Sequence, residues 1–239
     1  LMRINLLKRL ESSVYAFRLT VQRVLKLITD TLYEIEHYDP NKILELREIS
    51  EDDFDLDDQN NDLFTVGKKV KISLADMDHI TWQKKLTHDL EVLADLLGRM
   101  NAITPVEDNK LDVLADTIRK KLACPINDGN KKIIIFTAFS DTAEYLYEHV
   151  GKLMRKEFAL HTSMVTGSVG SKTTVPKLHT DLNTILTCFS PLSKDKHLIL
   201  PDEKAEIDML IATDCISEGQ NLQDCDFLIN YDIHWNPVR

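Results

Sequence analysis

The sequence predicts two architectures in one chain: an all-α helical hairpin over residues 1–107, followed by a doubly wound α/β parallel sheet over residues 108–239. Two periodicities and one recurrence carry this reading. Before residue 107, apolar residues return at steps of three and four, the period of a helix with one buried face. After residue 108, short continuous apolar runs alternate with helical stretches, the pattern of strands covered on both faces by helices. Each apolar run is followed by polar residues or glycine, at the strand ends where such sheets place their ligands.

In the first part, Leu7, Leu10, Val14, Phe17, Val21, Val24, Ile28, Leu32 and Ile35 form one seam. The spacing predicts a single amphipathic helix over residues 3–37, stopped by Asp39-Pro40. Leu74, Met77, Ile80, Leu86, Leu90, Leu93, Leu97 and Met100 predict a second long helix, with Ser73 and Asp76 near its start and Thr104-Pro105 at its end. Two such stripes bury each other most simply as an antiparallel hairpin. Arg3, Arg9, Arg18 and Arg23 lie off the seam and are expected to be solvated, with phosphate contact as the alternative. A third helix is expected over residues 110–122, carrying Leu111, Leu114, Ile118 and Leu122.

The 239 residues carry a net charge of −10, unevenly spread. Residues 1–26 hold six basic residues and one acid, whereas residues 48–62 (EISEDDFDLDDQNND) hold eight acids and no base. That acidic run repels itself and has few apolar residues, so it is expected to be a solvated insert near the hairpin turn. It lacks the Gly and terminal Glu of a calcium loop. No stretch approaches a membrane span, and the first residues show no signal-peptide pattern. Cys124, Cys188, Cys215 and Cys225 form no Cys-x-x-Cys pair, which suits free thiols in a reducing cytoplasm. The eight histidines show no metal-ligand spacing, so no metal site is expected.

In the second part, strands are expected at residues 132–137 (KIIIFT), 160–165, 209–213 and 227–231. Ser140 and Asp141 read as the N-cap and first-turn acid of a helix reaching about residue 156. A second helix is expected over residues 175–189, and residues 190–204 as a loop. This order puts Thr137, Thr166-Gly167-Ser168, Thr213-Asp214 and Tyr231-Asp232 on one edge.

Two phosphate-binding segments compete. Gly167-Ser-Val-Gly170-Ser171-Lys172-Thr173 lies between a strand and a helix, but Ser171 stands where a phosphate-binding loop needs glycine before its lysine. A small P-loop NTPase using Lys172 is therefore a weaker alternative. The other segment is Ala212-Thr213-Asp214-Cys215-Ile216-Ser217-Glu218-Gly219-Gln220-Asn221-Leu222, which leads to a strand ending Tyr231-Asp232-Ile233-His234-Trp235-Asn236-Pro237.

At these residues the chain resembles motif V of superfamily 2 helicases, in particular the Swi/Snf-like and RNA-polymerase-associated ATPase branches. KIIIFTAFSDTAEYL resembles motif IV of the same family, and Asp108-Asn109-Lys110-Leu111 resembles the start of its second RecA-like lobe. The resemblance covers residues 108–239. It implies an incomplete RecA-like second lobe with a helical N-terminal extension. It further implies that ATP and Mg²⁺ are used by the full-length enzyme, with ATP lying between this lobe and a first RecA-like lobe of the same chain. The implied partner is nucleic acid, DNA in preference to RNA, with no membrane. Gly219 and Asn221 match positions that approach the nucleotide. Thr213 matches a nucleic-acid-backbone position, and Thr137, Ser140, Gly167, Ser168 and Asp214 lie where the second lobe meets phosphates. Hydroxyls and amides hold phosphates without reading sequence. Asp214 and Glu218 depart from basic residues seen in some branches.

The sequence holds no Walker A lysine in a fitting loop and no Walker B pair, and the arginines of motif VI are expected just beyond Arg239. The resemblance therefore implies that these residues alone do not hydrolyse ATP. A reading from another class is a non-catalytic adaptor whose helical part binds a partner.

Overall fold

The computed structural model describes residues 2–37, 78–216 and 220–232. It divides into two compact units, residues 1–104 and 105–239.

The first unit contains α1 (Met2–Ser12), α2 (Val14–Glu36) and α3 (His79–Asn101). The single helix expected over residues 3–37 is thus two helices. Ser13 is extended (φ −158°, ψ 147°), and its Oγ accepts from the Ala16 amide at 3.1 Å, capping α2. A serine can satisfy a free helical amide with its own side chain, so it starts a new helix more readily than it continues one. One extended residue also resets the rotation of about 100° per residue, and the seam breaks there. Along α2, Phe17, Val21, Val24, Ile28 and Ile35 are buried as expected. Along α1, Leu7 and Leu10 are exposed, and Asn5, Arg9 and Ser12 are buried instead. Arg9 is therefore enclosed, at 1% exposure, and not solvated. Arg18 lies over the Tyr15 ring at 5.4 Å, and Arg23 is half-buried. The side chain of Arg3 lies outside the described set.

Asp78 caps α3 by accepting from the Thr81 amide at 3.1 Å. Leu86, Leu90, Leu93, Leu97 and Met100 form its half-buried stripe, and α2 packs against both α1 and α3. The acidic run at 48–62 lies outside the described residues, as do Ser73, Leu74, Asp76 and Met77.

The second unit opens with α4 (Asn109–Ala123), whose cap Asp108 accepts from the amides of Lys110 and Leu111. Among the described residues five strands follow: β1 (Ile133–Phe136), β2 (Thr162–Val165), β3 (Lys172–Thr173), β4 (Met209–Ala212) and β5 (Leu228–Asn230). Their order is β3-β2-β4-β1-β5. All pairings are parallel except that of β2 with β3. Ile133, Ile135, Met209, Leu210 and Ile211 have no exposed surface, as continuous apolar strands in a two-sided parallel sheet should.

Several local expectations are corrected. The helix after β1 is α5 (Ser140–Leu146), a wide turn at Tyr147–Gly151 closed by i→i+5 bonds, and α6 (Lys152–Phe158). Gly151 lies against β2, where an added Cβ would come 3.3 Å from Thr162. Ala159, in the left-handed region at φ 58°, ends α6. The segment 166–174, read as an open loop, contains β3. The helix expected from residue 175 begins later, as α7 (Leu182–Phe189). Pro176 and the left-handed Lys177 (φ 64°) hold off helix formation until Asp181 caps it by accepting from Thr184 N at 2.9 Å. The loop expected at 190–204 contains a short helix, α8 (Lys196–Ile199). Ile185, Leu186 and Phe189 of α7 join Ile134, Val165, Leu210 and Ala212 in one core.

Candidate functional site

The parallel register sets Phe136 and Val165 each opposite Ala212, and Phe136 opposite Asn230. Four strands therefore end level with one another, and the residues that follow them form one edge. Backbone bonds close it: Thr137 N to Ala212 O (3.0 Å), Thr213 N to Val165 O (3.2 Å) and Tyr231 N to Phe136 O (2.8 Å). Thr137, Thr166, Thr213 and Tyr231 each occupy the first position past a strand.

The structure brings several of the predicted residues together here. Ser140 and Ser168 place their hydroxyl oxygens 2.7 Å apart, joining the turn after β1 to the loop after β2. Thr166 Oγ1 accepts from Val169 N at 3.0 Å and donates to Val169 O at 2.9 Å, which folds Gly167 and Ser168 into a tight turn. Gly167 and Asp214 are exposed, Ser168 is half-buried, and Ser140, Thr137 and Thr213 are buried. Ser140 is not the N-cap expected from sequence. Phe139 holds that place without a side-chain bond, and Ser140 is the first helical residue. Its hydroxyl is engaged across the edge, where Ser168 competes successfully for it.

The hydroxyl of Thr137 faces inward. It donates to Asp232 Oδ2 at 2.5 Å, and the Ala138 amide donates to the same oxygen at 2.7 Å. Lys110 Nζ lies 3.4 Å from Asp232 Oδ1 and 4.1 Å above the Tyr231 ring. Asp108 Oδ2 accepts from Tyr145 OH at 2.9 Å, tying the first turn of α4 to α5. The sequence placed Asp232 past a strand in the motif V resemblance and Lys110 in the resemblance to the start of the lobe. It did not show that the two meet, because they are 122 residues apart.

Asn221 is separate from this row. It is exposed, and its Nδ2 donates to Ser193 O at 3.3 Å. It lines a groove of about 700 Å³ with Phe136, Ile216, Gln220, Leu222 and Leu228. Beside it, Asp224 accepts from the amides of Leu192 and Ser193. Burial pushes its carboxyl up, but the hydrogen bonds from Ser193 and Leu192 outweigh this and hold it below the usual range. Gly219 lies outside the described residues, as do the Trp235-Asn236-Pro237 residues.

Lys172 does not sit in a phosphate loop. It belongs to β3 and pairs with Glu144 of α5, and no helix begins until Leu182. A P-loop needs a helix start directly after its lysine, so the reading of Lys172 as a nucleotide ligand is withdrawn. Among the described residues, no group of three or more His, Cys, Asp or Glu is placed to hold a metal ion. Among the same residues, no helix is long and apolar enough to cross a membrane.

Residues 109–239, more than half of the chain, match the helicase conserved C-terminal domain. The chain belongs to this family. The match begins one residue past the Asp108 cap and includes β1 to β5. The uncharacterized ATP-dependent helicase YqhH of Bacillus subtilis (strain 168) is 53% identical over 36 residues. That stretch is 15% of this chain and 6% of the relative's length. The doubly wound α/β sheet expected from sequence is the fold of the helicase lobe, and helices precede it.

Proposed function

We propose that the helicase lobe is half of an ATP-driven motor on nucleic acid. In this reading ATP with Mg²⁺ binds between it and a first RecA-like lobe, closure of the two lobes accompanies binding, and hydrolysis reopens them. Supporting this is the level carboxyl edge, where Gly167-Ser168, Ser140 and Asp214 gather at adjacent strand tips in a domain of this family. An edge of hydroxyls and amides suits a sugar–phosphate backbone, which is gripped without regard to base sequence. We assign the nucleic-acid side to Thr137, Ser140, Gly167, Ser168, Thr213 and Asp214, and the nucleotide side to Gly219 and Asn221. Thr137, with its hydroxyl given to Asp232, shapes the turn from within. The substrate is DNA, and the branch is Swi/Snf-like or RNA-polymerase-associated, on the resemblance of the motif V segment.

The residues here supply phosphate grip and none of the cleavage chemistry. Phosphoryl transfer depends on a phosphate-loop lysine, Mg²⁺ ligands and an arginine finger, the last worth about 10³–10⁵ in rate. The 239 residues alone are therefore expected to release no phosphate from ATP. Nucleic-acid-stimulated ATPase of an intact enzyme carrying this lobe tests the reading. Gly219→Leu should lower turnover by blocking close approach of the chain to the nucleotide. Unchanged turnover would remove Gly219 from the nucleotide site, and phosphate release by the lobe alone would overturn the division of labour.

A further inference from the structure

The edge carries an acid whose role the motif reading leaves open. Asp232 follows β5, and its side chain is 5% exposed. One carboxylate oxygen takes both donors at the start of the β1–α5 turn, Thr137 Oγ1 and Ala138 N. The other faces Lys110 of α4, whose side chain is 35% exposed. Two residues after Ala138, Ser140 meets Ser168 at 2.7 Å. A polar row thus runs from α4 through the tip of β5 and the turn after β1 to the loop after β2.

A carboxylate in such a row has two effects that oppose each other. It fixes the turn, because a charged acceptor makes the stronger hydrogen bonds. It also repels phosphate, and the low dielectric of a nearly buried position strengthens that repulsion. The ammonium of Lys110 resolves the conflict by cancelling the charge from the α4 side while leaving Oδ2 free to hold the turn.

We propose that Lys110 and Asp232 are positioning residues for nucleic-acid binding. Asp232 locks the 137–140 turn that sets the Ser140–Ser168 pair, and Lys110 keeps Asp232 from repelling phosphate. This rests on the reading of the carboxyl edge as the nucleic-acid side. Lys110 acts through Asp232 and touches no phosphate itself, which separates this role from that of a surface lysine.

A double-mutant cycle on the full chain distinguishes the two, read by anisotropy of a fluorescein-labelled single-stranded DNA, with thermal unfolding as a folding control. Lys110→Met should lower Tm and, measured well below that Tm, weaken binding by roughly threefold to tenfold, and Lys110→Arg should restore both. In the Asp232→Asn background, Lys110→Met should change binding by less than about twofold. Should Asp232→Asn not fold, Asp232→Ser takes its place, since it also removes the charge while keeping an oxygen that can accept from the 137–138 turn. Again the double variant should bind no more weakly than the poorer single one. Equal losses from Lys110→Met in both backgrounds would mean that Lys110 grips phosphate directly and would overturn the proposal. So would unchanged binding by Lys110→Met while Ser168→Ala binds more weakly, an outcome that leaves the edge reading intact. No binding by the unaltered chain, or Ser168→Ala binding as tightly as it does, would remove the edge reading and this inference together.

Discussion

In the helicase lobe, the central strands β1 and β4 leave almost no side-chain surface in contact with solvent, whereas in the helical unit α3 buries none of its residues and α1 turns Ile4, Leu7 and Leu10 outward. Both regions carry apolar repeats in the sequence. The difference lies in what the repeat faces. A strand in the middle of a parallel sheet is covered by neighbours on four sides, and its burial is decided by topology. A helix is covered only where another helix lies on its stripe, so a single reset such as Ser13 exposes one part of the seam. Apolar spacing therefore reports burial well for strands here and poorly for helices.

Substitutions in the two regions should separate accordingly. The largest effect is expected at Lys121, whose side chain is 1% exposed and pairs with Asp226 at 2.7 Å. Lys121→Ala strands a nearly buried carboxylate and should cost about 3–5 kcal/mol, measured by denaturant unfolding followed with a probe in the lobe. Ile135→Ala, in the centre of β1, should cost about 2–5 kcal/mol by the same measurement. In the helical unit, Ser13→Ala removes the α2 cap and should cost about 1 kcal/mol, seen as lost helical circular dichroism on heating. Leu7→Ala, which would be severe in a continuous seam, should stay within about 0.5 kcal/mol. A loss at Leu7 as large as at Ile135 would erase the contrast.

The comparison also has a pH side. Burial raises the carboxyl of Asp226, but Lys121 and the donors of Asn127 outweigh it and hold it below its ordinary value of 3.8. A carboxylate whose folded value is depressed stabilises the fold at pH above its unfolded value and loses that contribution as pH falls through the folded one. Melts of the lobe should therefore shift downward as the pH drops below 3.8. In an Asp226→Asn variant, that part of the shift should be missing.

The sequence disclosed the lobe through Ile133 to Phe136 and Met209 to Ala212, runs short enough to be strands and too apolar to be edges. The row of strand-tip residues was legible for the same reason, since parallel strands place their ends together whatever their loops do. What stayed hidden depends on pairs distant in sequence. The engagement of Ser140 by Ser168 could not be told from an N-cap, because both uses favour serine at a helix start. The start of α7 at Leu182 is hidden in the sequence because Lys177 adopts a left-handed backbone that nothing in its side chain announces. A continuous helix would turn Arg9 outward, whereas the break at Ser13 leaves it enclosed.

The strand order β3-β2-β4-β1-β5 has a consequence for synthesis. β4 pairs with both β1 and β2, yet it is the fourth strand to be made. Until Ala212 has left the ribosome, the first two strands have no common neighbour and their apolar faces remain open. Pairings between distant segments are slow to form, and exposed faces in the interval invite aggregation. The central strand thus acts as a late keystone, and a nascent chain stalled before residue 209 should depend on chaperones in a way that the finished lobe does not.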